Sequence, residues 1–332
     1  MSRLPRVLPW LATGLAVAAA VAAPLIVPGF LLFQISVMLT YAIAVLGLNL
    51  LLGHAGQVSL AQGAFFACGA YVFAILVSRF GVPPAAALLC AAVVTVALGV
   101  AVGLPALRLP GLQLAIVTFG LAALVPQILI KFDHVTGGEA GIRLRRPVLP
   151  GWFAAPLETW NYYWCLAGLA LCIVITLRVL FGDSGRSLRA LRDNPLVAET
   201  LGIDLTRVRL SAFAVSAAFA GLAGGLFAMV NGFVNPSSFE ATKSIEILIG
   251  AIVGGVTSIP GAVIGAIFIV FMPDWTSQID ISLAGLLYGL CLILTMLFAR
   301  NGVTGVVRSL ADRVVRMAAP PPDARQNPAP PA

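Results

Sequence analysis

The chain has 332 residues, 60% of them hydrophobic and 10% charged, with a formal net charge of +7. Water-soluble domains carry about a quarter charged residues, so this composition excludes a large-cored globular protein and indicates a polytopic membrane protein. The basic excess does not require nucleic acid as a partner, because in membrane proteins it reflects Lys and Arg retained in cytoplasmic loops.

A hydrocarbon layer about 30 Å thick needs about 20 apolar residues per helix. Runs near that length fall at 8–28, 30–52, 59–78, 84–104, 112–130, 160–181, 207–231, 245–257, 258–272 and 281–299. The alternating segments of a barrel are absent. The expected fold class is therefore all-α, a polytopic membrane helical bundle of about ten transmembrane helices. The eighth and ninth runs are short and read either as crossing helices or as a re-entrant pair. At the start, Arg3 and Arg6 precede an apolar run ending in AAAVAAP, a pattern shared with cleavable signals. Because Leu8 to Val27 is long enough to span, a retained first helix is expected.

Placing the N-terminus inside sorts the basic residues, with 14 of the 20 Lys and Arg on the inner side. Arg79, Lys131, Arg143, Arg145, Arg146 and Lys243 then lie outside, and both termini lie inside. Residues 131–159 form an outer loop, whose end and following helix carry an aromatic belt of Trp152, Phe153, Trp160, Tyr162, Tyr163 and Trp164. Glycines recur four apart at Gly99/Gly103, Gly221/Gly225, Gly250/Gly254, Gly261/Gly265 and Gly285/Gly289, which suits close helix packing in lipid. The five cysteines form no C-x-x-C pair and read as small core residues. Residues 1–300 read as the membrane domain, and 301–332 as an inner tail ending in a Pro-rich, polar segment.

Ionisable groups are nearly absent from the spans. Glu246 reads as a helix start and Asp274 as a loop residue, so no carboxylate is expected at mid-membrane, which counts against a self-powered secondary transporter. Catalytic chemistry is also missing. His54 and His134 are the only histidines, and no H-E-x-x-H occurs. Ser184, in Gly-Asp-Ser-Gly, has no later histidine to act as its base. Neither lysine completes a P-loop, since Thr242 precedes Lys243 where glycine belongs and Phe132 follows Lys131. No catalytic residue, cofactor or metal site is expected, and any driven transport needs a partner or an ion gradient.

Three clusters interrupt the apolar pattern. The stretch GLNLLLGHAGQVSLAQGAFFACG (47–69) holds Asn49, His54, Gln57, Ser59 and Gln62. It reads either as a polar turn capped by Ser59 or as a broken helix lining a translocation path. Thr136–Gly141 reads as a flexible Gly-rich turn, and Asn235–Phe239 as an ordinary turn.

The longest charged passage is 183–209, DSGRSLRALRDNPLVAETLGIDLTRVR. Ser187 can cap a helix start, Pro195 restarts the helix and Gly202 can end it. Leu188, Leu191, Leu196 and Val197 give an apolar side, decorated by Arg186, Arg189, Arg192, Asp193 and Glu199. This segment suits either an anionic lipid surface or a soluble protein partner, and its mixed charge, including Asp204, favours the partner.

The sequence AETLGI (198–203), then Thr206-Arg207 and SAFAVSAAFAGLAGGLFA, resembles the coupling loop of ABC importer permeases, in particular the M-type subunit of the branched-chain amino acid permease family. The stretches 47–71, TGGEAGI (136–142), NPSSF (235–239) and VGGVTSIPGAVIGA (253–266) agree in order, over roughly residues 40–300. The usual loop reads Glu-Ala-Ala, whereas Thr200 and Leu201 follow Glu199 here, and His54 stands where a Tyr or similar residue is expected. The resemblance implies a bacterial inner-membrane subunit with the architecture of ribose and vitamin B12 importer permeases. Its implied partners are a second homologous permease, two cytoplasmic ATPase subunits, a periplasmic binding protein and the lipid bilayer. It implies coupling to the ATPase through Ser187, Arg189, Arg192, Glu199, Gly202 and Asp204, and it puts Asn49, Gln57, Ser59 and Gln62 among candidates for the path. The implied substrate is a branched-chain or other hydrophobic amino acid, with urea and short amides as the related alternative. A self-contained secondary transporter is the rival from another class.

Overall fold

The computed structural model describes residues 18–106, 109, 111–144 and 156–279, with 289, 293 and 302–305 as isolated positions further on. The first ten residues of the expected first span, loop residues 145–155, and all but those isolated positions of the tenth span and tail lie outside the described residues.

Among the described residues, seven helices are long and apolar enough to cross a membrane. Helix α1, Gly29–Leu48, continues as a π-helical stretch, Asn49–His54. Then follow α2 (Gln62–Phe80), α3 (Pro84–Ala106) and α4 (Gly111–Lys131). A single turn, α5 (Asp133–Thr136), leads to β1 (Ile142–Arg143), and α6 (Leu157–Phe181) returns across the bundle. The charged loop folds as α7 (Asp183–Asp193) and α8 (Pro195–Thr200). Helix α9 (Leu205–Asn231), β2 (Phe233–Val234), α10 (Thr242–Gly254) and α11 (Ile259–Ile279) complete the order. The two short strands pair antiparallel, Ile142 opposite Val234 and Arg143 opposite Phe233. They mark the ladder end of the bundle, opposite the end that carries α7 and α8.

Helices α1 and α9 form the axis. Buried residues make up 83% of the most apolar window of the first and 72% of the second, against 22% for α6 and 28% for α3. The exposed surface of the peripheral helices is itself apolar, as at Leu89, Val93, Ile116 and Leu171, which suits a hydrocarbon solvent. Without a hydrophobic drive between helices in lipid, close backbone packing holds them together. Gly69 on α2 meets the backbone of Gly221 on α9, Gly224 meets the Phe66 carbonyl, and Gly254 and Gly250 on α10 meet Gly261 and Gly265 on α11. Four of the five glycine pairs seen in the sequence thus lie at helix contacts, and Gly285 of the fifth lies outside the described residues.

Two helices begin inside the bundle rather than at its ends. After His54 the chain climbs back non-helically through a largely buried segment, 55–61, and α2 starts only at Gln62, where its side chain lies beside Gly47 of α1. After α9 the chain re-enters from the ladder end. Asn235 caps a 3₁₀ turn, Pro236–Phe239, and the Phe239 ring is fully buried about 6.0 Å from those of Phe66, Tyr71 and Phe227. Helix α10 then runs for only 13 residues, about 20 Å, shorter than a bilayer core. The turn at 235–239 is therefore anchored in the core by Pro236 and Phe239 while Ser237 stays exposed, which its polar composition did not announce.

Several expectations change. Residues 59–61 are not helical, so the third span starts three residues late. Asp274 lies within α11, not in a loop, and accepts a hydrogen bond from Gln34 Nε2. Tyr162 is buried, its hydroxyl donating to the Ala20 carbonyl at 2.6 Å, and Tyr163 reaches Val21 at 3.2 Å, so these two hold helix 18–26 rather than stand free in an aromatic belt. The Thr136–Gly141 turn is tightly built: Thr136 Oγ1 donates to the Leu129 carbonyl at 2.6 Å, and Gly137, Gly138 and Gly141 all have positive φ, which side chains disfavour.

A Gly224→Val variant is expected to lose about 1–3 kcal/mol by overpacking against the Phe66 backbone. Gly120→Ala, where a Cβ meets nothing within 4 Å, should be neutral or gain up to about 1 kcal/mol of helix propensity. Unfolding of the detergent-solubilised proteins in a denaturant series measures both.

Candidate functional site

The charged loop is anchored on one side and bare on the other. Helix α7 starts at Asp183, with an Arg186–Asp183 ion pair on its first turn, so Ser187 lies inside the helix and does not cap it. Instead the Ser187 hydroxyl donates back to the Asp183 carbonyl. Leu188 and Leu191 are buried against the bundle. At the break, Asn194 Oδ1 accepts from the backbone N–H of Leu196 (3.1 Å) and Val197 (3.3 Å), and Pro195 fills the first helical position, where no N–H is missed. Gly202 stops α8 with φ +80°, and Asp204 caps α9 through the Arg207 N–H at 3.0 Å. Only Ala198 of α8 is buried. Leu196, Val197 and Leu201 are 76%, 51% and 73% exposed. The apolar side read from the sequence thus splits, with Leu188 and Leu191 turned inward and Leu196 and Val197 turned out. The kink at Asn194–Pro195 turns them apart.

Arg192 ties this loop to the broken helix. Its Nη1 donates to the Gly53 carbonyl at 2.7 Å, one of the groups freed where the π-helical stretch ends. Asn49, four residues earlier, donates from Nδ2 to the carbonyls of Ser258 (3.2 Å) and Gly255 (3.5 Å) in the α10–α11 turn. A Cβ at Gly53 would overlap the Val256 carbonyl, so this contact requires glycine. The loop, the end of α1 and the α10–α11 turn therefore meet at one junction.

All four residues placed on a candidate path are buried at or above this junction. Gln57 borders a cavity of about 320 Å³ with Gly56, Leu114, Leu191, Arg192 and Arg209, and neither atom of its side-chain amide has a partner. Ser59 Oγ accepts from the Ala61 N–H at 3.3 Å, a turn contact just before α2; the residue at the helix N-cap is Ala61, so Ser59 does not cap α2. Gln62 Nε2 donates to Ser216 Oγ on α9 at 2.6 Å and leaves its Oε1 without a partner. The interrupted helix of the second reading is present, and all four side chains are buried along the interruption. Of the six loop residues, Arg192 bonds to this junction; Arg189 Nε donates to the Gly185 carbonyl of its own helix at 3.2 Å, and Glu199 is exposed.

One group escaped sequence reasoning. Lys243 Nζ lies 2.8 Å from Glu246 Oε2 and 3.0 Å from the hydroxyl of Tyr41, and 5.6 Å above the Tyr41 ring. Tyr41 is the centre of the 26-residue span Gly29–His54, so a carboxylate does sit deep in the bundle. The expectation that none would, and that Lys243 lies at the outer face, is corrected. It failed because α10 looked like a helix starting at the surface, whereas the Phe239 anchor carries its start inward. The signal available was K-x-x-E opening an apolar run too short to span. Beside it the Gly63 N–H donates to Ser244 Oγ at 2.9 Å, joining the first turns of α2 and α10. Among the described residues no group of three or more His, Cys, Asp or Glu could hold a metal ion.

An apolar bundle with two helices that start inside it, polar groups buried at the breaks and one solvent-facing amphipathic loop is built as a membrane permease. Residues 30–296 match the family described as branched-chain amino acid transport system / permease component, and the chain belongs to that family. It is similar to the high-affinity branched-chain amino acid transport system permease protein LivM of Salmonella typhimurium, 33% identical over 295 residues, covering 81% of this chain and 68% of that protein. LivM of Escherichia coli K12 is 34% identical over the same shares. LivH of Salmonella typhimurium, a permease protein of the same description, is 26% identical over 69% of this chain and 79% of its own length. No solved structure matches the chain.

Replacing Asn49 by Leu is expected to cost about 1–3 kcal/mol, the penalty for leaving buried carbonyls unpaired, here those of Gly255 and Ser258. Faster hydrogen exchange confined to the α10–α11 turn checks that the loss is local.

Proposed function

We propose that this chain is one membrane-spanning subunit of an ATP-driven ABC importer that carries branched-chain or other hydrophobic amino acids into a bacterial cell across the inner membrane. The observation that carries it is the bare α8 face, apolar at Leu196, Val197 and Leu201 yet projecting at the end of the bundle. Apolar side chains set among charged ones outside the hydrocarbon suit a groove on a soluble protein. The charge bias of the sequence puts that end in the cytoplasm, where an ATPase would be. The chain carries no complete P-loop motif of its own.

In this reading the subunit pairs with a second homologous permease, two cytoplasmic ATPase subunits and a periplasmic binding protein. Two relatives of Salmonella typhimurium share one system description, which supports the pairing of two permeases. Residues 1–300 would form the membrane domain, and 301–332 the cytoplasmic tail. ATP-driven closure of the ATPases would displace α8. Arg192 would pass the movement to the Gly53 carbonyl, and Asn49 would pass it to the α10–α11 turn. Arg189 and Glu199 flank the docking face, and Gly202 and Asp204 set its angle to α9. Hydrolysis itself belongs to the separate chain.

One observation favours a second reading. A self-contained secondary transporter needs ionisable groups near the midplane, and Lys243 with Glu246 are such groups. Reconstitution separates the two. The importer requires ATP, the ATPases and the binding protein for uptake, and gradient-driven uptake by this chain alone in liposomes would sink it.

The docking face gives a sharper test. Leu196→Asp with Leu201→Asp should abolish co-purification of the ATPase and uptake while the permease inserts and folds normally. Gly202→Val meets no atom within 4 Å, so its expected cost is about 1–2 kcal/mol of left-handed backbone strain, with partial loss of coupling. Wild-type ATP-dependent uptake in the double variant would refute docking at α8.

A further inference from the structure

We propose that Lys243, Glu246 and Tyr41, at the meeting point of the first turns of α2 and α10, form a transit site for the zwitterionic head group of an α-amino acid. The inference rests on the importer reading above and assigns it a substrate contact. The carboxylate lies against Lys243 and the two helix starts, and the ammonium against Glu246.

Depth comes first. Tyr41 is 12 residues from Gly29 and 13 from His54, the ends of its span. At 1.5 Å per residue that is about 18–20 Å from either end. A charge at this depth costs about 2.5–3.5 kcal/mol even on the scale most lenient to it, so such groups face a bundle interior or water, not lipid. Exposure comes second. The side chains of Lys243 and Glu246 are 24% and 34% exposed, so the pair is not sealed in the core. Tyr41, by contrast, is buried and fixed, its ring packed against both Phe66 and Phe227.

The hydrogen-bond inventory leaves room for a ligand. An ammonium has three protons, and Lys243 uses two, on Glu246 and Tyr41. Among the described residues, Glu246 accepts through Oε2 and leaves its other oxygen open. The first turns of α2 (19 residues) and α10 (13 residues) converge here through Gly63 and Ser244, so two positive dipole ends meet, which favours an arriving carboxylate. A zwitterion inserted between Lys243 and Glu246 replaces one ion pair by two. The site is neutral both empty and filled, so the exchange strands no charge in the membrane. A neutral solute such as urea makes no such exchange. The distance from α8 is bridged by α10 itself, whose far end is the turn held by Asn49.

The test uses the complete transporter in proteoliposomes, with radiolabelled L-leucine delivered by the binding protein. ATP hydrolysis stimulated by loaded binding protein scores assembly. Lys243→Met and the isosteric Glu246→Gln are each expected to cut leucine uptake by about tenfold or more, the loss of one hydrogen bond to a charged group, while stimulated hydrolysis stays near wild type. The exchange Lys243→Glu with Glu246→Lys retains an ion pair but reverses it against the helix starts, and uptake should stay low. Wild-type uptake in the exchanged variant means the pair is structural only and overturns the proposal. So does wild-type uptake in Lys243→Met/Glu246→Met. If that double variant does not assemble, Glu246→Gln decides alone. A wild-type complex that moves no amino acid refutes the importer reading and the site with it, and it does so before any variant is compared.

Discussion

Every backbone amide and carbonyl that leaves a helix at membrane depth must find a partner inside the protein, because hydrocarbon offers none. The rest of this structure depends on that constraint. The chain interrupts its helices at 55–61, 232–241 and 255–258; at the second Asn235 caps its own turn, and at the first and third side chains from elsewhere meet the freed groups. The Leu60 N–H finds Thr118 Oγ1 on α4 at 2.9 Å, the Gly63 N–H finds Ser244 on α10, the Gly53 carbonyl finds Arg192, and those of Gly255 and Ser258 find Asn49. Each partner comes from another part of the fold, so satisfying the breaks also stitches the elements together.

That stitching gives the proposed mechanism its physical content. A polar contact between α7 and the end of α1 is short and directional, so a displacement of the loop strains the Gly53 carbonyl before it reaches the apolar core. The core resists, because α9 is pressed on α2 through Gly69, Gly221 and Gly224 at backbone distance and has no slack to absorb movement. The α10–α11 hairpin differs. It is joined within itself by a glycine seam and to the end of α1 by Asn49, and α11 also packs along α1, so in the proposed mechanism it shifts as a unit. Its inner end carries the Lys243–Glu246 pair, which joins the proposed mechanical input to the proposed transit site through one short helix.

Much of this was legible in the chain. The positions of seven spans, the restart at Pro195, the stop at Gly202 and four glycine seams all follow from local rules of length, capping and small-residue spacing. The depth of each break was not legible. A turn rich in Asn, Pro and Ser reads the same at a surface and against a core, and only the burial of Phe239 among three aromatic rings shows that this one is anchored inward. Likewise Leu188 and Leu196 look alike on a helical projection; the kink at Asn194 turns one inward and the other out.

The sequence by itself determined the class of protein, its helical bundle and the family to which it belongs, because these rest on composition, period and contiguous motifs. Only the tertiary structure decided which polar groups meet. Asn49 and Ser258 are 209 positions apart, Arg192 and Gly53 139, and Lys243 and Tyr41 202. No local rule links residues so distant. Their pairing follows from where two interrupted helices begin, and that is set by packing across the bundle.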